Sequence, residues 1–99
     1  MAELVVVYWR DIPAQVIAKS GRTSAKRHLG ERFETAIDRA AMRAGLRDSD
    51  AYLGEWRRAS PTPCSDDLER EAAAAAERLN AEYDEARLAA LIASGGAAS

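Results

Sequence analysis

Ninety-nine residues fit one domain with a single modest core. Apolar residues make up 47 % of the chain, but many are alanines, and a lone cysteine, Cys64, excludes an internal disulfide. The net charge of −2 hides a polarity: eleven Lys/Arg face eight Asp/Glu up to Pro63, and three face eight from Cys64 onward.

The opening MAELVVVYWRD lacks a basic region and a small-residue cleavage site, so no signal peptide is expected. No apolar run reaches the roughly 20 residues of a membrane span, and the single reduced cysteine fits a cytoplasmic setting.

Taken in order, residues 3–10 alternate Leu4, Val6 and Tyr8 with Val5, Val7 and Trp9. Both faces are apolar, which predicts a strand central in its sheet. Arg10 and Asp11 break the run, and Pro13 disfavours helix at Ile12, so a connection is expected there. Residues 14–20 and 24–29 read as the two strands of a hairpin. Gly21 stands where a two-residue turn needs positive φ. The register this sets places Lys19 opposite Ser24, Ala18 opposite Ala25, Ile17 opposite Lys26, Val16 opposite Arg27, Gln15 opposite His28 and Ala14 opposite Leu29. One side then gathers Ala14, Val16, Ala18, Ala25 and Leu29. The other is polar except for Ile17.

Residues 31–44 carry Phe33, Ile37, Ala40, Ala41 and Ala44 on one helical stripe, with Gly45 placed to end the helix. A second helix is predicted over 49–58, capped by Asp48 or Ser49 and burying Tyr52, Leu53 and Trp56. The Pro-rich run 61–65 reads as a linker between a compact unit, 1–60, and a long acidic helix, 66–93, capped by Ser65. The stripe Leu68, Ala72, Ala75, Leu79, Tyr83, Ala86, Ala90 recurs about every 3.5 residues, a seam for its own domain or a second copy of the chain. Residues 94–99 are expected to be disordered. The fold class is therefore α+β, a small antiparallel sheet of two to three strands followed by three helices. The sheet should pack on the Phe33–Ile37 helix, with Trp56 closing the core.

Tyr8-Trp9-Arg10-Asp11-Ile12-Pro13-Ala14-Gln15 is the most distinctive stretch, followed by Ala40-Ala41-Met42-Arg43-Ala44-Gly45 and Asp50-Ala51-Tyr52-Leu53. With these the chain resembles the small bacterial virulence factor family, a domain also found within conserved virulence factor C. The resemblance covers roughly residues 3–58 and, more loosely, the helix that follows. It implies an accessory protein of one-carbon metabolism, in the company of folate and corrinoid methyl-transfer enzymes. It supplies no catalytic residues to carry over.

Chemistry-bearing residues are sparse. His28 is the only histidine and Cys64 the only cysteine, which falls short of a zinc set and leaves a Cys-His pair as the one nucleophilic combination. No metal or cofactor is expected. The basic cluster Lys19, Arg22, Lys26, Arg27, His28 and Arg32 could hold phosphates of a ligand or of nucleic acid, and solvated edge-strand charge explains it equally. A pI near 5.4 argues against a dedicated nucleic-acid binder. Tyr8, Trp9, Arg10 and Asp11 are the candidates for a protein interface. The leading expectation is a non-enzymatic interaction module with a protein partner. Binding through the basic hairpin comes second and an enzyme third.

Overall fold

The structure, a computed structural model, describes residues 2–46 and 50–97. The predicted hairpin forms first in the chain's logic. Strand β2 (Ile12–Ser20) pairs antiparallel with β3 (Thr23–His28), and every pairing from Lys19–Ser24 to Gln15–His28 is the one the turn chemistry dictates. Gly21 takes φ 59, and Leu29 N–H donates to Ala14 C=O at 3.0 Å beyond the last pair. β1 (Glu3–Trp9) lies on the other side of β2 and is central, as its two apolar faces predict.

The sheet has more strands than expected. Beyond β1 lie two short strands, β4 (Trp56–Arg58) against Val7–Trp9 and β5 (Thr62–Pro63) against Glu3 and Leu4. The run 61–65 is thus stitched to the sheet instead of forming a free linker, and residues 56–58 are strand instead of helix. What remains of the predicted second helix is one short piece, α2 (Asp50–Gly54). Its expected caps, Asp48 and Ser49, lie outside the described residues. Leu53 and Trp56 are exposed at 65 % and 38 %, so Trp56 does not close the core.

The second strand begins earlier than expected, at Ile12, so that Pro13 lies inside β2. The ladder tolerates it because the register shifts there: Val7 faces Gln15 and Tyr8 faces Pro13, leaving Ala14 over as a bulge.

Helix α1 (Glu31–Ala44) buries the predicted stripe of Phe33, Ile37, Ala40 and Ala41. It ends at Gly45, where Gly45 N–H and Leu46 N–H bond back to Met42 and Ala41 carbonyls. The long acidic helix is two helices, α3 (Leu68–Glu82) and α4 (Glu85–Ala93). Asp84 breaks it by accepting a bond from Arg87 N–H at 2.8 Å, a cap for a new helix. Asp67 caps α3 through Arg70 N–H, while Ser65 donates its own N–H to Glu71.

The predicted seam is used inside the chain. Leu68, Ala72, Ala75, Leu79 and Tyr83 join Val16, Ala18, Ala25 and Phe33 in one core; after the break Leu88 and Leu91 continue it, and the predicted Ala86 and Ala90 are exposed instead. Residues 94–97, expected to be disordered, are ordered: Gly95 and Gly96 are buried, and Gly96 C=O accepts from Asp11 N–H at 2.8 Å. Ala98 and Ser99 lie outside the described residues.

Candidate functional site

Helix α3 packs on one side of the sheet, against Val16, Ala18 and Ala25. The other side carries Glu3, Val5 and Val7 of β1, then Gln15, Ile17 and Lys19 of β2, then Ser24, Lys26 and His28 of β3, as the registers dictate. Val5 and Ile17 are only 3 % and 5 % exposed, yet neither belongs to the core that the helices form. At one end of this face Trp56, Tyr52, Ile37, Gln15 and His28 surround a hollow of about 290 Å³. The Tyr52 and Trp56 rings meet edge to face there, 6.3 Å apart.

The Arg10–Asp11 turn is held from several sides. Arg10 sits at φ 53, the left-handed region, which costs an L-residue about 1–2 kcal/mol. Its guanidinium is fixed by Glu55 at 3.3 Å, by Gly95 C=O at 3.0 Å, and over the Trp9 ring at 5.3 Å. Trp9 is fully buried, stacked against Tyr52 and donating its indole N–H to Tyr52 C=O. Of the four residues expected at an interface, Trp9 therefore lies out of a partner's reach.

Tyr8 and Asp11 instead line a cleft of about 490 Å³ on the helix side of the sheet. Its other walls come from residues that sequence reading missed. Arg57 lies over the Tyr8 ring at 4.6 Å and bonds Arg10 C=O and the Asp11 carboxylate at 2.8 and 3.0 Å. Arg87 lies over the Tyr83 ring at 3.9 Å and reaches Glu82 C=O at 3.3 Å. Burial, then the neighbouring Tyr8 phenol, Glu82 and Asp11, push the Tyr83 phenol above its usual range, with Arg87 pulling the other way. No local motif announces this cleft, because its two arginines stand thirty residues apart.

The basic cluster does not hold together. Arg32 donates to the carbonyls of Tyr83 and Asn80 and stacks on Phe33, so it caps the end of α3. Arg27 faces Glu69 at 3.7 Å on the helix side. Lys19, Lys26 and His28 share the open face, with Arg22 at the hairpin tip. The Cys-His combination does not form either. His28 lies on β3 at one edge of the sheet, and Cys64 follows β5 beyond β2 and β1. Burial, and then Glu71, Asp66 and Glu3, raise the Cys64 thiol above its usual range, which disfavours the thiolate a nucleophile needs. Among the described residues no group of three or more His, Cys, Asp or Glu is placed to hold a metal ion, and no helix is long and apolar enough to cross a membrane.

No curated protein and no solved structure matches the chain. A family model described as virulence factor matches residues 7–92, nearly the whole fold from β1 to α4, and the chain belongs to the virulence factor family.

Proposed function

We propose that the chain is a non-enzymatic interaction module that docks on a protein partner through the open face of its sheet, as an accessory subunit. The observation that carries this reading is Val7, a half-buried apolar side chain on the sheet face away from α3, with Trp56 exposed at the end of the same face. Lys19, Lys26 and Arg58 share that face. An apolar centre, a charged rim and an aromatic anchor are the ingredients of an interface. The complementary partner presents an apolar patch bordered by carboxylates. We take its class to be a folate or corrinoid methyl-transfer enzyme of bacterial one-carbon metabolism, as the sequence resemblance implies.

The test is a pull-down of the tagged chain from bacterial cytoplasm in about 150 mM salt, which screens exposed charges beyond about 8 Å. Methyl-transfer components are expected with the wild-type chain and are lost with Val7→Lys. Recovery of none, or equal recovery by the variant, would sink the reading.

A second reading, phosphate-ligand or nucleic-acid binding through the hairpin, is favoured by the register that aligns Lys19 and Lys26 on one face. It requires affinity that falls steeply with salt and disappears in a Lys19→Ala, Lys26→Ala double variant. Salt-independent retention of a protein partner by that variant returns the choice to apolar docking.

A further inference from the structure

The cleft between Tyr8 and Tyr83 lies on the opposite side of the sheet from the docking face and is a separate site. We infer that it binds a small organic carboxylate, with the carboxyl group between Arg57 and Arg87 and an apolar body on Ala59, Ala90 and Leu91.

Three features lead there. Both guanidiniums are held in place before any ligand arrives. Arg57 is fixed by a backbone carbonyl, a carboxylate and the Tyr8 ring, and Arg87 by the Glu82 carbonyl and the Tyr83 ring. A binding group that is already ordered loses little freedom on binding.

The second feature is a charge imbalance. Asp11 answers Arg57, while among the described residues no carboxylate stands at ion-pair distance from the Arg87 guanidinium. Among the residues that line the cleft, one carboxylate faces two guanidiniums, so the lining itself carries a single positive charge over, which a monoanion balances where a dianion would overshoot. Carboxylates also match the planar fork of arginine.

The third is the composition and size of the floor. Ala59, Ala90 and Leu91 offer hydrocarbon, and about 490 Å³ is space for more than the carboxyl group. An inorganic anion would leave that floor wet. The Tyr83 hydroxyl stays protonated at neutral pH, so it remains a donor beside the arginines.

The experiment is an NMR titration of the ¹⁵N-labelled full chain with benzoate, benzyl alcohol and inorganic phosphate. Benzoate should give saturable shifts at the Arg57 and Arg87 side-chain N–H groups and at the Ala90 amide. Benzyl alcohol, which has the body without the charge, and phosphate, which has the charge without the body, should each bind about tenfold or more weakly. Arg87→Gln removes the unmatched charge and should weaken benzoate about tenfold or more. Ala90→Leu fills the floor, keeps both charges and should weaken it likewise. Both substitutions lie on the exposed side of α4, and each variant's amide spectrum reports its fold. The proposal is overturned by the absence of saturable shifts, by equal binding of either control, or by full affinity in either folded variant.

Discussion

The indole of Trp9 leaves no room for a side chain at residue 96: a β-carbon on Gly96 would stand 2.6 Å from its Cζ3 atom. Gly96 also holds φ 94, accepts the Asp11 amide and donates to Leu91 C=O at 2.7 Å, so backbone and ring fix each other. Gly96→Ala combines a steric clash with a positive φ, and we expect a loss of about 2–4 kcal/mol of stability. Urea denaturation at neutral pH measures it. A change under about 0.5 kcal/mol, the size of an ordinary surface substitution, would mean that the tail does not seat on Trp9.

Arg32 belongs to the fold and not to a ligand site. Its guanidinium satisfies carbonyls at the end of α3, and Asn80 returns a bond from its side-chain amide to Leu29 C=O at 3.3 Å. Arg32→Ala should cost about 2 kcal/mol in a thermal or urea melt, because charge-assisted bonds are lost and the last carbonyls of the helix are left open. Lysine should not restore it, since one ammonium lacks the fork that spans both carbonyls. Full rescue by Arg32→Lys would contradict the assignment.

Alkaline pH should loosen the same region through Tyr83. Its folded-state phenol titrates above the unfolded value of 10.0. The protonated form is therefore favoured by folding, and that contribution is whole below pH 10 and disappears as pH rises through the folded value. Denaturant midpoints from pH 8 to 11 should fall more steeply above pH 10 for the wild-type chain than for Tyr83→Phe. Parallel curves would show that Tyr83 carries no part of the alkaline loss.

Val7→Lys tests the open face without breaking the fold. Val7 is half-buried on the side away from α3, so the ammonium can reach water and stability should change by about 1 kcal/mol or less. Loss of a partner with unchanged melting is the expected pair of results. Unfolding of the variant would place Val7 in the core instead.

How far the sequence foretold this fold depended on the range of the interactions involved. The register of the β2–β3 hairpin was legible because Gly21, the alternation of Val16 and Ala18, and the polar partners on β3 all act within about ten residues, although both strand ends lay one or two residues off. Ile17, the one apolar exception on the polar side, is buried there although the helix core does not include it. The short strand at Trp56–Arg58 was misread because Tyr52, Leu53 and Trp56 are spaced as on a helix. Its extended state comes from pairing with Val7–Trp9, some fifty residues earlier, and three residues carry too little local preference to announce it. The break at Asp84 was hidden by Tyr83, which continues the apolar spacing, although an aspartate before Glu85 is a cap signal. Of the cleft, Tyr8 and Asp11 were within reach of sequence reasoning. Arg57, Tyr83 and Arg87 were not, since only the folded chain brings them together.

The bond from Arg10 to Gly95 spans 85 positions of sequence. During synthesis at about 5–20 residues per second, Trp9 and Arg10 are made roughly 4–17 seconds before the glycines that enclose them. Through that interval the first strand, an apolar and β-branched run, has an incomplete shelter. A chain truncated before residue 95 should therefore behave as a nascent intermediate held at that stage, with its first strand open to chaperones and proteases.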